Sequence, residues 1–243
     1  MKIDIRGLSE DQIIEFFEKK GLDSYRGRQV YEWIWRKSCY SFDEMTNISK
    51  DLRDVLDNHF VINHIQVDKI QKSFDGTIKN AVKLHDDNTV ESVLIPTDDR
   101  TTACVSSQVG CSLDCRFCAT SKLKRMRNLN PDEIYDQVVT INDQSLKYFN
   151  RPISNIVYMG MGEPLMNYNN LIKSIEKISS DKGLNMSQKR IVVSTSGIPK
   201  MIKKLADENL KVNLALSLHS AIEETRNKIM PFSKKFSLDE IKD

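Results

Sequence analysis

After Arg100 the sequence alternates short β-prone runs with helical stretches, and few folds accommodate that rhythm. The β-prone runs fall at residues 101–106, 155–159, 190–194 and 212–218, and a helical stretch follows each of the first three. The best-marked helix opens at Asn130, with Pro131 in its first position and Glu133 completing a capping box. Ile134, Val138 and Ile141 then recur at helical spacing. Strands joined through helices run parallel, so this part is expected to be α/β, a parallel sheet or a barrel. In such folds the chemistry sits at the carboxyl ends of the strands. Four strands are too few to close a parallel barrel. Ser237-Leu238-Asp239-Glu240 is a further capping box, opening a helix that meets the last residue, Asp243, almost at once. Both observations lead us to expect a chain truncated at its C-terminus.

The earlier residues have a different period. Ser9 and Gln12 form a capping box, and Ile13, Phe16 and Phe17 make an apolar stripe that ends at Gly21. Val30, Trp33 and Ile34 mark a second helix, and Leu52, Val55 and Leu56 a third. Between Lys19 and Lys37 lie six basic and two acidic side chains, which suit a solvated face or an RNA-contacting one. From Phe60 onward, residues 67–70, 81–84 and 90–95 read as short strands separated by Asp75-Gly76 and Asp86-Asp87-Asn88 turns. The expected organisation is a helical accessory domain over 1–60, an antiparallel meander over 61–99 as a linking segment, and a core over 100–243.

With 40% hydrophobic and 29% charged residues, the chain has the composition of a globular protein. No apolar run approaches the roughly 18 residues of a membrane span. Met1-Lys2-Ile3-Asp4-Ile5-Arg6 lacks the apolar stretch of a signal peptide, so a cytoplasmic location is the default, as is a monomer. A net charge of +2 neither requires nor excludes a nucleic-acid partner. Five cysteines, an odd number, are few for a disulfide scaffold. Cys104, Cys111, Cys115 and Cys118 cluster while Cys39 stands apart, a distribution that points to metal or redox chemistry.

Cys111-Ser-Leu-Asp-Cys115-Arg-Phe-Cys118 has the spacing C-x3-C-x2-C. Three thiolates this close can wrap one loop around a cubane and hold three of its irons, leaving the fourth open to an exogenous ligand. Electron-transfer clusters are closed by four cysteines. Structural zinc normally takes four protein ligands, and here the only nearby fourth candidate is Cys104. Spacing alone favours an iron–sulfur site over zinc or a site with neither.

Around this cluster lie further motifs. Glu91-Ser-Val-Leu-Ile-Pro96 leads through Arg100 to Cys104-Val-Ser-Ser-Gln-Val-Gly-Cys111. Cys118-Ala-Thr is followed by Arg127-Asn-Leu and Met159-Gly-Met-Gly-Glu-Pro-Leu165, then by Ser194-Thr-Ser-Gly197 and Ser217-Leu-His219. The C-x3-C-x2-C loop with Phe117 before its last cysteine resembles the signature of radical S-adenosylmethionine (SAM) enzymes. The whole set closely resembles the adenine-C2 methyltransferases of 23S ribosomal RNA and tRNA (RlmN type). Tyr25-Arg-Gly-Arg-Gln and Ser41-Phe-Asp-Glu-Met resemble that family's accessory domain.

The resemblance implies a partial radical SAM barrel, with about four of six βα units present. It implies a [4Fe-4S] cluster on Cys111, Cys115 and Cys118, with SAM chelating the open iron and cleaved to a 5′-deoxyadenosyl radical. Phe117, Gly162, Glu163, Ser194, Ser217, Leu218 and His219 match positions that contact SAM. Read without the family, Gly160-x-Gly162 is a tight turn, Ser194 a turn residue and His219 an edge histidine. Glu91 matches a glutamate that handles a proton at the target adenine, although an isolated strand glutamate is ordinarily a surface residue. Cys104, otherwise a buried thiol, matches a cysteine that forms a disulfide with a methyl-carrying cysteine near the family's C-terminus. No cysteine follows Cys118 here, which puts methyl transfer by this chain alone in doubt. The basic run Lys122-Leu-Lys-Arg-Met-Arg127 suits phosphate contact or a solvated face. RNA partners and an electron donor such as flavodoxin or ferredoxin are implied as well. Two other readings stay open: a related adenine-C8 resistance methyltransferase, and a non-catalytic iron–sulfur or RNA-binding fragment.

Overall fold

The computed structural model describes residues 2–242. A short strand β1 (Ile3–Asp4) pairs in parallel with β2 (Phe60–Val61) and brackets three helices, α1 (Glu10–Lys19), α2 (Ser24–Trp35) and α3 (Lys50–His59). The Ser9 box closes as expected: Ser9 Oγ accepts the Gln12 N–H at 3.2 Å, and Gln12 Oε1 accepts the Ser9 N–H at 2.8 Å. Ile13 and Phe17 face the core, and the chain leaves α1 through Gly21 at φ +70°. At Gly27 the first two helices touch backbone to backbone. A Cβ there would lie 2.7 Å from Ile14 Cα, so only glycine allows this crossing.

The strands that follow are β3 (Gln66–Lys72), β4 (Ile78–Lys83), β5 (Thr89–Pro96) and β6 (Thr101–Cys104). A two-stranded hairpin comes next, β7 (Gln108–Val109) with β8 (Arg127–Asn128). Then come α4 (Pro131–Phe149), β9 (Asn155–Tyr158), α5 (Tyr168–Ser179), β10 (Ile191–Thr195), α6 (Pro199–Asp207), β11 (Asn213–Leu216), α7 (Glu223–Ile229) and α8 (Leu238–Lys242). The four strands expected after Arg100 are present and parallel, each within a few residues of its sequence bounds. The antiparallel meander is present too, but it does not stand apart. β5 pairs antiparallel with β6, giving one seven-stranded sheet in the order β11-β10-β9-β6-β5-β4-β3. The turn between Thr97 and Arg100 is tight, with the Thr97 N–H donating to the Arg100 carbonyl. Strand-sized hydrophobic periods carry no record of such continuity, because it depends on which edges meet.

Register divides the sheet into two faces. Ala103, Ile156, Tyr158, Ile191 and Val193 point toward the helix layer and are buried. Asn80 and Ser92 share that face, where Asn80 and Gln144 of α4 exchange hydrogen bonds at 2.7 and 2.9 Å. Glu91, Val93, Cys104, Val157 and Ser194 point to the opposite face.

The helical N-terminal part is fastened to α4 by a buried ion triad. Arg6 donates to Asp136 at 2.7 Å and to Asp132 at 3.2 Å, with all three side chains nearly inaccessible. Tyr135 adds a hydrogen bond to the Trp35 carbonyl at 2.5 Å. Removing one member of such a buried group leaves uncompensated charge, which costs about 3–5 kcal/mol. Arg6→Ala is therefore expected to lower the urea midpoint strongly at pH 8. Burial pushes Asp132 up from 3.8 to about 6 against the pull of Arg6. Since the folded value is the higher one, its stabilising contribution is complete below 3.8 and lost as pH rises through 6. Asp132→Asn should flatten the stability profile across that interval; an unchanged slope in urea titrations would contradict this assignment.

Candidate active site

Two loops meet at the carboxyl ends of β6 and β9. Ser106 is fully buried, and its hydroxyl donates to the Glu91 carbonyl at 2.5 Å while accepting the Met161 N–H at 2.8 Å. The Ser107 N–H donates to the Met161 carbonyl at 2.9 Å, and Gln108 Oε1 accepts the Glu163 N–H at 2.9 Å. Such contacts bring backbone against backbone. A Cβ at Gly160 would stand 2.6 Å from Ser106 Oγ, and Gly162, at φ +97°, has Gln108 Cβ 2.5 Å from where its own would be. Leu165, where a G-x-G-x-x-G dinucleotide-binding motif starting at Gly160 would need its third glycine, is buried in the core.

The cysteine loop is built between the two strands of the β7–β8 hairpin. The Cys118 N–H donates to the Cys115 carbonyl at 3.1 Å, and Ser121 Oγ lies 2.7 Å from both the Cys115 and the Cys118 carbonyls. The Cys111 N–H donates to the Leu123 carbonyl at 3.4 Å, and the Arg116 N–H to the Ile229 carbonyl at 2.9 Å. At the loop's exit Arg127 makes a bidentate pair with Glu133, both bonds 2.7 Å, and its Nε donates to Asp86 at 2.5 Å. Hydrogen bonding to Glu133 raises the Arg127 pKa, and hydrogen bonding to Arg127 holds Asp86 far below the usual carboxylate range. Arg127 is thus a structural clasp, whereas Lys122, Lys124 and Arg125 of the same run are exposed.

One cavity of about 290 Å³ gathers nine of the twelve residues singled out in the sequence. It is lined by Cys111, Cys115 and Cys118, by Phe117, Gly162 and Glu163, and by Ser194, Ser217 and His219. All three thiols are free and half-buried. Burial raises Cys111 and pushes Cys115 up to about 11, with Cys111, Cys118 and Glu163 adding repulsion at Cys115. Among the described residues no three His, Cys, Asp or Glu side chains converge on a single metal ion. A cubane needs no such convergence, because each thiolate meets a different iron. Three thiols around one cavity, with no fourth among the described residues that line it, fit an open cluster.

Glu163 is the most buried acid in the cavity. Its Oε2 accepts both the Ser196 N–H and the Ser196 hydroxyl at 2.8 Å, and its Oε1 accepts the Leu165 N–H at 3.2 Å. Burial still raises its pKa, and among the described residues it has no cationic partner. The Phe117 and His219 rings lie 4.2 Å apart, His219 in the left-handed region at φ +59°. The Ser194 and Ser217 hydroxyls are 3.4 Å apart on adjacent strand ends.

Three of the singled-out residues lie outside this cavity. Leu218 is partly exposed beside it. Glu91 is half-exposed on the open face of β5 and pairs with Lys79 at 2.5 Å. Cys104 is buried on the same face of the sheet, opposite Val93, and burial pushes its thiol up to about 11 while the Met159 N–H draws it back.

Residues 105–242 match the radical SAM superfamily, and residues 3–62 match the ribosomal RNA large subunit methyltransferase N-terminal domain. The chain is 67% identical over 242 residues to a probable dual-specificity RNA methyltransferase RlmN of Christiangramia forsetii, covering all of this chain and 69% of that protein. The chain belongs to the RlmN family of radical SAM RNA methyltransferases. A dual-specificity RNA methyltransferase RlmN of Desulfotalea psychrophila is 41% identical, covering 99% of this chain and 68% of its own length. The crystal structure of a radical SAM methyltransferase from Sphaerobacter thermophilus superposes with a TM-score of 0.89 at 34% identity, covering 98% of this chain and 70% of that one.

Sequence reasoning missed Ser196 in this RlmN-family site. It lies within the quoted Ser194-Thr-Ser-Gly197 motif, but only the fold shows that Ser196, not Ser194, holds Glu163. Gln108, which orients the Glu163 backbone, was also invisible as a site residue. Gly160→Ala must displace Ser106, and overpacking of this kind costs about 1–3 kcal/mol. The expected result is a thermal midpoint lowered by several degrees in differential scanning calorimetry; an unshifted midpoint would show that the loops can separate freely.

Proposed function

We propose that this enzyme methylates C2 of an adenosine in 23S ribosomal RNA and in tRNA, with a [4Fe-4S] cluster and SAM as cofactors. The observation that carries this reading is the convergence of three free thiols and one uncompensated buried carboxylate on a single cavity at the strand ends. Cys111, Cys115 and Cys118 would hold three irons as thiolates and leave the fourth for the methionyl amine and carboxylate of SAM. When bound, the cluster supplies the electron that cleaves SAM.

The chain's own residues then have definable tasks. Glu163 offers a fixed negative charge to the methionyl ammonium, its orientation set by Ser196 and Leu165. Gly160 and Gly162 let the β9 exit approach without side chains intervening. Phe117 and His219 form an aromatic wall, Ser194 and Ser217 line the SAM pocket beside them, and Leu218 flanks it from outside the cavity. Glu91 and Cys104 share the open face of the sheet, where the target base would lie after being splayed from its stack. There Glu91 would take the proton that C2 loses, and Cys104 would form a disulfide with the methyl-carrying cysteine. No residue from 119 to 243 is cysteine, so the chain provides one half of that pair. Residues 1–60 would present the RNA, their basic stretch at Lys19–Lys37 meeting phosphates.

The test is an anaerobic reconstitution. The wild-type chain is expected to bind iron and sulfide and to show an electron paramagnetic resonance spectrum perturbed by SAM; Cys111→Ala, Cys115→Ala or Cys118→Ala should each lose the cluster. Glu163→Gln should keep it but weaken SAM binding about tenfold or more, the worth of a charged hydrogen bond. Mass spectrometry of RNA after incubation with the intact enzyme should find methyl on C2. Bound zinc, or a cluster indifferent to SAM, would overturn the reading.

A further inference from the structure

Beyond the cavity, the outer side of the cysteine loop carries an unusual surface. Leu123 is 54% exposed and Met126 68% exposed, and they lie among Lys122, Lys124 and Arg125. None of these three cations forms an ion pair among the described residues, whereas the neighbouring Arg127 is fully engaged by Glu133 and Asp86. The surface is continuous with the thiols at both ends. Ala119–Lys122 forms a 3-10 turn directly after Cys118, and the Leu123 carbonyl accepts the Cys111 N–H. Anything seated on Leu123 is therefore one hydrogen bond from the backbone of Cys111.

We infer that Lys122, Leu123, Lys124, Arg125 and Met126 form the docking face for an acidic protein that carries single electrons. This rests on the proposed cluster on Cys111, Cys115 and Cys118 and names how its electron arrives. Exposed apolar side chains interleaved with like charges along one short segment fit a small, transient protein interface steered by electrostatics. Phosphate binding would use the three cations but would gain nothing from exposed Leu123 and Met126, which favours a protein over RNA here. In the transfer one electron leaves the carrier's reduced centre, which is oxidised by one, and enters the cluster, which is reduced by one. No covalent bond changes at the surface. The short route through Leu123 and Cys111 makes this face a suitable entry point.

The holoenzyme is mixed anaerobically with reduced flavodoxin, and bleaching of the cluster absorbance is followed by stopped flow. Dithionite serves as a reductant that needs no docking, and tRNA affinity is measured by gel shift. Leu123→Ser with Met126→Ser, and separately Lys124→Glu with Arg125→Glu, should slow bleaching by flavodoxin about tenfold or more. Titration with oxidised flavodoxin should show the same loss of affinity, and added salt should weaken the wild-type complex. Dithionite bleaching should be unchanged in both variants, and the Leu123/Met126 variant should bind tRNA normally. Wild-type flavodoxin rates in both variants would overturn the inference, as would a loss of tRNA affinity in the Leu123/Met126 variant with flavodoxin rates intact. A wild-type chain with no chromophore for dithionite to bleach would instead refute the cluster, and this inference with it.

Discussion

The site depends on one close approach, that of the backbone at 105–108 to the backbone at 160–163. Ser106 Oγ ties β5 to the β9 exit by bonding the Glu91 carbonyl and the Met161 N–H together. Ser107 and Gln108 continue the contact, and Asn167 Nδ2 closes it from α5's leading turn by donating to the Ser107 and Leu129 carbonyls at 2.8 Å. Without it, the thiol loop that starts three residues after Gln108 and the Glu163 carboxylate would be set by two independent strand ends. With it, they are fixed relative to each other by buried hydrogen bonds, which is the preorganisation that a cofactor pocket requires. The glycines at 160 and 162 are therefore part of the site's geometry through the close backbone approach they allow.

Much of this was legible because the signals are local. Ser9–Gln12 and Asn130–Glu133 are capping boxes whose geometry is complete within four residues, and both close in the structure. Three cysteines within eight residues cannot be placed far apart by any fold. What remained illegible was non-local. Glu163 and Ser196 are 33 residues apart and meet only because β9 and β10 are adjacent and in register. The continuity of the meander with the parallel strands turns on the pairing of Leu94 with Ala103, which no hydrophobic period records. The basic run illustrates the limit well. Its four basic residues read alike as exposed charge, yet Arg127 turns inward because Glu133, already needed as a cap, is within its reach.

The N-terminal helices and the core are likewise coupled through one helix. α4 gives its first two turns to Arg6 and Arg127 at once: Asp132 and Asp136 receive the former, Glu133 the latter. The accessory part and the exit of the cysteine loop are thereby held by neighbouring residues of one rigid element. A displacement of the helical part would be felt at Asp132, next to the Glu133 that holds the Arg127 clasp. The separation between the two acids is a single residue, so no long pathway is needed. Physical connection of this kind makes coupling feasible; its size depends on how far α4 can move against the sheet.

Glu163 gives the sharpest statement of what the cavity is for. A carboxylate this buried would be expected to acquire a cation or to give up its charge. Among the described residues the protein offers it three hydrogen-bond donors from Ser196 and Leu165 but no cationic side chain. Donors aimed at the ionised form oppose the burial that raises its pKa, so the group is held ready for a positive partner without being supplied with one. A ligand bearing an ammonium relieves this strain directly, and a neutral ligand cannot. Charge imbalance inside the cavity is thus itself a selectivity device, independent of shape: it favours a ligand that carries an ammonium over uncharged molecules of the same size.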